Sequence, residues 1–191
     1  VESGRIDHGH HAGNAAGALA DTIAFAEAVK TAVENADMEM TLVIVTADHS
    51  HVFTIGGYPR RGNPILGKVV SVGSDDPAMA ADGLPYTTLG YTNGLGFRDL
   101  GDETNSDAAY ADEAVSGRVD LSSIDTEAPG YHQETLVPLG SETHAGEDVA
   151  VYGIGPGGHW VTGTNEQTVV YHTMNTAAKL DFKANKKLGG Q

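Results

Sequence analysis

The first eleven residues of the chain, VESGRIDHGHH, bring two acids and three histidines close together in sequence. The chain contains no cysteine, so any metal ion must be held by imidazole nitrogens and carboxylate oxygens. Asp7 and His11 are four residues apart, and one helical turn would place both side chains on the same face. Such a pair is typical of a zinc site, whereas a lone carboxylate such as Glu2 also suits magnesium, which prefers oxygen ligands.

Two further groups of acids and histidines lie later in the sequence. Asp48 and His49 directly follow an apolar, β-branched run over residues 41–46, and His144 precedes a second apolar run in the segment SETHAGEDV. In open α/β sheets, ligands bind just beyond the carboxyl ends of the strands, which is where Asp48 and His49 would lie. Two metal ions close together stabilise the attacking and leaving oxygens of a phosphoryl transfer, so the pattern predicts a two-metal hydrolase site.

The elements that would position these residues are indicated by the hydrophobic periodicity. Residues 15–36 predict an amphipathic helix, because apolar residues recur at spacings of three and four. The runs over residues 41–46 and 148–155 predict buried strands, the first of them covered on both faces of a parallel sheet. Residues 164–180 predict a second helix, which opens on the capping-box sequence TNEQ. We therefore expect an α/β fold, with part of a mainly parallel sheet flanked by helices.

The composition divides the chain into three parts. Residues 1–57 are expected to form the first part of the α/β core with metal motifs, and residues 141–191 its final strand and helix. Residues 58–140 are rich in glycine, proline, aspartate and serine, with only short strand-like pieces. We interpret this middle part as an insertion built mainly of loops and small strands. The isolated histidines are expected to be structural or surface residues: His132, His159 and His172.

The charge of the chain is strongly acidic, with a formal net charge of -15. Between Asp75 and Asp148 there are 16 acids and two bases, so this segment alone carries a net charge of -14. An acidic surface repels nucleic acids and anionic membranes, so neither is expected as a partner. The acid excess also suits a protein that must stay soluble in high salt, and we state this as a hypothesis about its surface. No run of 18 apolar residues is present, so no membrane span is expected.

Three segments, VESGRIDHGHH, VTADHSH and ETHAGEDVAVYGIGP, resemble in order and spacing the three carboxy-terminal motifs of alkaline phosphatases. The shorter segments DHGHH, HSHVF, GGYP and THAGEDV are closer to the animal-type and marine bacterial branch than to the compact enteric bacterial one. The resemblance extends from Val1 to about Leu180, loosely across residues 63–135. Each motif alone would be moderately specific, and the three together are highly specific.

The resemblance implies a site with two zinc ions and one magnesium ion. At matching positions, the ligands that it implies are Asp7, His11 and His144 for the first zinc, Asp48 and His49 for the second zinc, and Glu2 for the magnesium. His8 and His51 occupy positions that lie near the metals in this branch, where they would orient ligands or face the phosphate. The resemblance assigns no role to His10.

The resemblance also implies a mechanism, the hydrolysis of phosphate monoesters at alkaline pH through a phosphoserine intermediate. A serine activated by the second zinc attacks phosphorus, and the first zinc stabilises the leaving alkoxide and then activates a water. The family's serine lies in an upstream Asp-Ser-Ala-type motif that these 191 residues do not contain. We therefore expect the chain to be the carboxy-terminal part of a longer enzyme, inactive alone, with Val1 inside a strand that leads into the site.

The middle part of the chain has a counterpart in the same family. Residues 58–140 occupy the place of a crown-like subdomain at the dimer interface, so a homodimer is expected. The resemblance implies phosphate monoesters, inorganic phosphate and the upstream part of the enzyme as partners, and a periplasmic or extracellular location. Two other interpretations stay open: a related metal-dependent phosphodiesterase or sulfatase, and a non-catalytic cation-binding fragment.

Overall fold

The computed structural model of the chain describes residues 1–111 and 113–181. These residues group into two compact units, called unit 1 and unit 2 below. Unit 1 consists of residues 1–25 and 51–146, and unit 2 consists of residues 26–50 and the residues from 147 onward.

The described residues form three α-helices, two short 3-10 helices and nine strands, and the fold is therefore mixed α/β with small sheets. The α-helices are α1 (Gly4–His11), α2 (Ala15–Asn35) and α3 (Thr168–Ala178), and the 3-10 helices are Ser106–Ala111 and Gly158–Trp160. The strands are β1 (Val43–Thr46), β2 (Ser50–His51), β3 (Phe53–Ile55), β4 (Leu89–Gly94), β5 (Arg98–Asp99), β6 (Tyr131–His132), β7 (Thr135–Pro138), β8 (His144–Ala145) and β9 (Val151–Ile154).

The largest sheet of unit 1 is built around β4. Strand β3 pairs with β4 in antiparallel orientation, and β7 pairs with it in parallel orientation. Tyr91 lies in the middle of β4, opposite Phe53 on one side and Thr135 on the other, and it is buried. Strands β5 and β6 form a separate antiparallel pair. The sheet therefore brings Phe53 and Tyr91 side by side, and both rings contact the ring of His10, which is described below.

The turn between α1 and α2 is held by buried polar groups of unit 1. Asn14 precedes α2, and its Oδ1 accepts a hydrogen bond from the Gly17 N–H, which satisfies one of the donors at the start of the helix. The Asn14 amide nitrogen donates to the Pro129 carbonyl at 2.8 Å. His132 is fully buried, and its Nδ1 lies 2.8 Å from the Ala12 carbonyl. These contacts fix the point where α1 ends, and therefore the placement of His11.

Unit 2 contains an antiparallel pair of strands, β1 and β9, with Val43 opposite Ile154. The predicted strands over residues 41–46 and 148–155 are both confirmed, although shorter than predicted. The first strand was predicted to lie in a parallel sheet that covers both of its faces, but β1 pairs with β9 in antiparallel orientation and both strands are partly exposed. Strands β4 and β7 of unit 1 do pair in parallel orientation. An apolar run indicates a strand but not the direction of its partner.

Two further predictions about local structure need correction. The helix predicted from residue 164 begins at Thr168, with Gln167 as its N-cap and no side-chain hydrogen bond at the cap, so the expected capping box does not form. The predicted helix over residues 15–36 is confirmed as α2. Residues 1–3 lie outside helices and strands, so the strand expected at Val1 is not present, and α1 begins immediately afterwards.

Among the described residues, we find no helix that combines the length and the apolar character needed to cross a membrane.

Candidate metal centre

Helix α1 places Asp7 and His11 on one face, as their spacing predicted. The Oδ1 atom of Asp7 lies 3.2 Å from the Nε2 atom of His11. His11 is the last residue of α1, and Ala12 caps the helix with an N–H that donates to the carbonyl of His8. The pair therefore presents one carboxylate oxygen and one imidazole nitrogen at the end of a short helix.

Two histidines from the second half of unit 1 meet this pair. The Oδ1 atom of Asp7 lies 3.2 Å from Nε2 of His51 in β2 and 3.5 Å from Nε2 of His144 in β8. The Nε2 atoms of His11 and His144 are 3.1 Å apart. One carboxylate oxygen and three imidazole nitrogens, contributed by three elements, therefore converge within unit 1.

The hydrogen bonding of His11 determines which of its ring nitrogens can bind a cation. Its Nδ1 lies 2.6 Å from the main-chain carbonyl of Glu142, and a carbonyl oxygen can only accept a hydrogen bond. Nδ1 of His11 therefore carries a proton, and in the neutral ring Nε2 presents a lone pair to Oδ1 of Asp7. Two acceptors at this distance repel each other unless a cation or a proton lies between them. The arrangement is consequently one that a metal ion would stabilise.

The spacing of the ligand atoms fits zinc. A tetrahedral zinc ion with bonds of about 2.0 to 2.2 Å holds its ligand atoms about 3.3 to 3.6 Å apart. The three separations among Asp7 Oδ1, His11 Nε2 and His144 Nε2 are 3.1, 3.2 and 3.5 Å. The oxygen and nitrogen donors are also of the types that zinc accepts when cysteine is absent. These residues could therefore hold a zinc ion with a position left for another ligand.

Asp48 and His49, the residues predicted to bind a second zinc, belong to unit 2. They follow the end of β1, and Oδ2 of Asp48 lies 3.6 Å from Nε2 of His49. The Asp48 side chain is 81% exposed, whereas that of His49 is 24% exposed. By itself this pair offers an ion one carboxylate oxygen and one imidazole nitrogen.

His8 lies on a different face of α1 from Asp7 and His11, and Glu2 lies before the helix. Glu2 is exposed and precedes α1 by two residues. His8 is one residue beyond Asp7, which rotates it by about 100° around the helix. Its Nδ1 therefore lies 2.8 Å from Nη1 of Arg5, which itself forms an ion pair with Asp107 at 2.8 Å. The described contacts of His8 are on this second face of α1.

His10, to which the sequence assigned no role, packs behind the candidate site. Its ring stacks on that of His51 with centroids 4.7 Å apart, and its Nδ1 lies 2.9 Å from the hydroxyl of Tyr91. Burial, followed by the nearby ring of His51, lowers the pKa of His10 to about 4. His10 is therefore uncharged near neutral pH and supports the ring of His51 as an aromatic neighbour.

The sequence reasoning missed Glu142, whose carboxylate is fully buried beside two histidines of the site. Its Oε2 atom lies 2.7 Å from Nδ1 of His51 and 3.5 Å from Nδ1 of His11. A signal was present, because Glu142 lies two residues before His144 in the segment SETHAGEDV. Only the fold shows that this acid, and not the neighbouring Glu147, faces the histidines, since Glu147 is exposed and bonds to Ser50.

The comparison with sequence families gives one clear match for this chain. The family described as alkaline phosphatase matches residues 1–180. The match includes every residue that the sequence analysis placed at a metal site.

Individual relatives support the same relationship. The chain is 42% identical over 178 residues to the tissue-nonspecific isozymes of alkaline phosphatase from Felis catus and from Gallus gallus. It is 41% identical over 178 residues to the tissue-nonspecific isozyme from Homo sapiens. Each match covers 93% of this chain and 30% of the relative, so the chain spans about a third of the length of these relatives.

Proposed function

This chain belongs to the alkaline phosphatase family, and from that membership we propose that it supplies metal ligands to a phosphate monoesterase that works at alkaline pH. The proposed reaction proceeds through a phosphoserine intermediate. Since the chain spans 30% of the length of its relatives, we propose that the nucleophilic serine comes from residues outside it and that the chain alone is inactive. Its substrates would be phosphate monoesters, and inorganic phosphate would be the product.

One observation carries this proposal, the convergence of Asp7, His11 and His144. Their ligand atoms are separated by 3.1 to 3.5 Å, within about 0.2 Å of the separations expected for three ligands of one tetrahedral ion. A zinc ion held there would act as a Lewis acid on the oxygens of the phosphoryl group. The Glu142 carbonyl favours metal binding at this site, because it holds the proton of His11 on Nδ1. The ligand atom Nε2 then presents a lone pair.

The second zinc and the magnesium are proposed from matching family positions. Asp48 and His49 would bind the second zinc, and Glu2 would bind magnesium, which suits its single carboxylate. The carboxylates of Asp48 and Glu2 are exposed. This exposure is compatible with metal sites that are completed by side chains from the rest of the protein. His51 and His8 would orient ligands or face the phosphate. His51 has the stronger support, because its Nε2 lies 3.2 Å from Oδ1 of Asp7.

The larger assembly is also part of the proposal. Residues 1–57 and 141–191 would belong to a mainly parallel sheet flanked by helices, and residues 58–140 would form a crown-like insertion through which two copies pair. The net charge of -14 between Asp75 and Asp148 supports a salt-adapted surface for that insertion. We propose a periplasmic or extracellular location on the basis of the family.

The proposal is tested by measuring phosphatase activity with and without the upstream residues. Hydrolysis of p-nitrophenyl phosphate in the presence of zinc and magnesium is expected only when the chain is joined to the upstream part of the enzyme. In that longer protein, His144→Ala should lower kcat at least about 100-fold, because a lost zinc ligand removes several kcal/mol of stabilisation. The exposed residue His159, which packs beside Trp160, provides the matched control, since His159→Ala should leave activity unchanged.

Three results would contradict this proposal. Activity of the 191-residue chain alone would show that the nucleophile is not missing. Faster hydrolysis of a bis-p-nitrophenyl phosphate diester or of p-nitrophenyl sulfate would favour the related phosphodiesterases or sulfatases. Equal loss of activity in the His144→Ala and His159→Ala variants would remove the support for the metal centre.

A further inference from the structure

We propose that Glu142 is a positioning residue that fixes the ring orientation and the tautomer of His51 and, through its main chain, those of His11. The inference rests on the proposed function, because the two histidines act at the candidate metal centre. It assigns to Glu142 no contact with substrate or with a metal ion.

The side chain of Glu142 holds two consecutive residues of one segment. Its Oε2 lies 2.7 Å from Nδ1 of His51, and its Oε1 accepts a hydrogen bond from the N–H of Val52 at 2.7 Å. The side chain is fully buried, and a buried carboxylate is stable only when its oxygens are hydrogen-bonded or paired. An ionised carboxylate only accepts hydrogen bonds, so Nδ1 of His51 is the donor whenever Glu142 is ionised.

This hydrogen bond determines what the other side of the His51 ring offers. With its proton on Nδ1, a neutral His51 presents the lone pair of Nε2 to the site. That atom lies 3.2 Å from Oδ1 of Asp7. Histidines near metal ions are commonly held in this way by a carboxylate on the distal ring nitrogen, which sets both the tautomer and the angle of the ring.

The main chain of Glu142 makes a second, independent contact. Its N–H donates to the His11 carbonyl at 2.9 Å, and its own carbonyl accepts a hydrogen bond from Nδ1 of His11 at 2.6 Å. His11 is thus bonded to Glu142 by its backbone and by its ring at once. A substitution of the Glu142 side chain that leaves the backbone in place keeps both contacts with His11. The same substitution removes the contact with His51.

This difference between the two histidines allows a decisive test without any metal ion. In the 191-residue chain labelled with 15N-histidine, two-bond 1H–15N spectra at about pH 9, where an ordinary imidazole is neutral, distinguish the two tautomers. We expect the Nδ1–H form for both His11 and His51. In the Glu142→Ala variant, His51 should lose its Nδ1–H preference while His11 keeps it. A general loosening of the fold would change both rings, and an inert Glu142 would change neither.

A second readout measures the consequence for metal binding. Co2+ is titrated into the chain and followed by its visible absorption. Glu142→Ala should weaken binding by roughly 10-fold, the lower end of the effect of a group outside the ligand set, because it releases the His51 ring that faces the ligand Asp7 at 3.2 Å. Glu134→Ala is the matched control, because the Glu134 carboxylate also accepts a main-chain hydrogen bond, from Val119 at 3.0 Å, but lies beside Arg118. The control should keep both the wild-type affinity and the wild-type tautomers.

Each outcome of these experiments decides something specific. If His51 is Nε2–H in the wild-type chain, or stays Nδ1–H in Glu142→Ala, the inference is wrong. If neither the chain nor the longer protein that includes the upstream residues binds Co2+, the proposed function fails, whereas the tautomer result stands by itself. Should the alanine variant not fold, Glu142→Asp keeps the charge and withdraws the carboxylate by one methylene, and the same loss at His51 is expected. An unchanged His51 in the aspartate variant would then overturn the inference.

Discussion

The Nε2 atom of His11 lies 3.1 Å from the Nε2 atom of His144, although the two residues are 133 positions apart in the sequence. Since Nδ1 of His11 donates to a carbonyl, its Nε2 presents a lone pair to His144 when the ring is neutral. The contact then requires either a proton on His144 or a cation shared by both rings. The carboxylate of Asp7, 3.2 and 3.5 Å from these two nitrogens, supplies the negative charge that favours the cation.

The first prediction concerns the central carboxylate. Asp7→Asn should weaken zinc binding by more than the roughly 10- to 100-fold expected for a group outside the ligand set, because it removes the negative oxygen that faces three imidazole rings. Isothermal titration of the 191-residue chain with zinc measures the effect. Asp82→Asn, which removes an exposed carboxylate paired with Arg118, is the control and should bind zinc as the wild type does. Equal affinities of the two variants would exclude Asp7 as a ligand.

The second prediction concerns Gly94, which packs against the backbone of Glu142. A Cβ atom at Gly94 would lie 3.2 Å from Cβ and 3.3 Å from Cα of Glu142, and the φ angle of Gly94 is +136°. Gly94→Ala should therefore lower the free energy of unfolding by about 1 to 3 kcal/mol and also weaken metal binding, because Glu142 is displaced.

A matched variant separates contact from backbone strain in this prediction. Gly101 also has a positive φ, +62°, but a Cβ there would meet nothing within 4 Å. Gly101→Ala should cost stability without changing metal affinity. Urea unfolding and zinc titration of both variants provide the comparison, and wild-type affinity in Gly94→Ala would show that Glu142 tolerates the displacement.

The third prediction concerns the pH dependence of stability. His132 is buried, and burial lowers its pKa below the ordinary histidine value, so the unfolded chain binds this proton more readily than the folded chain. The contribution of His132 to stability should therefore be fully present above the ordinary histidine pKa. It should be lost as the pH drops below about 6.5 toward the pKa of His132 in the folded state. Urea unfolding at about pH 7.5 and about pH 5.5 measures the slope. His132→Gln removes the titrating group, and an equally steep slope in that variant would refute the assignment.

The fourth prediction concerns the acidic surface. Repulsion within the segment from Asp75 to Asp148, with its net charge of -14, should be screened by salt, so Tm should rise between low and molar KCl. Each kcal/mol of repulsion that is relieved corresponds to about 2 to 4 °C in Tm for a chain of this size. The double variant Asp76→Asn with Asp102→Asn should show a smaller rise. A Tm that does not respond to salt in the wild type would contradict the proposal of salt adaptation.

Several features could be predicted from the sequence because they depend on local geometry or on motifs. Asp7 and His11 share one helical turn, so their proximity follows from the four-residue spacing alone. The periodicity of residues 15–36 was sufficient to predict α2, and two apolar runs were sufficient to predict β1 and β9. The family resemblance rested on three short motifs, and the family match over residues 1–180 confirms it.

Other features were decided by tertiary structure, because they depend on pairs of residues far apart in the chain. The antiparallel direction of β1 and β9 could not be predicted, since an apolar run carries no information about the orientation of its partner. The capping box predicted at Thr164 does not form, because α3 begins at Thr168 instead. These differences concern where an element starts and what it pairs with, not whether it exists.

The site itself shows the same division. The sequence determined the kinds of atoms available for a metal ion, because without cysteine only imidazole nitrogens and carboxylate oxygens can serve as ligands. Only the tertiary structure decided that His51 and Glu142, 91 positions apart, lie 2.7 Å from each other. That contact forms when β2 and the segment before β8 come together, and its geometry determines which nitrogen of His51 faces Asp7. A spacing rule cannot supply this information, since the proton position of a histidine depends on the acceptor that the fold places beside it.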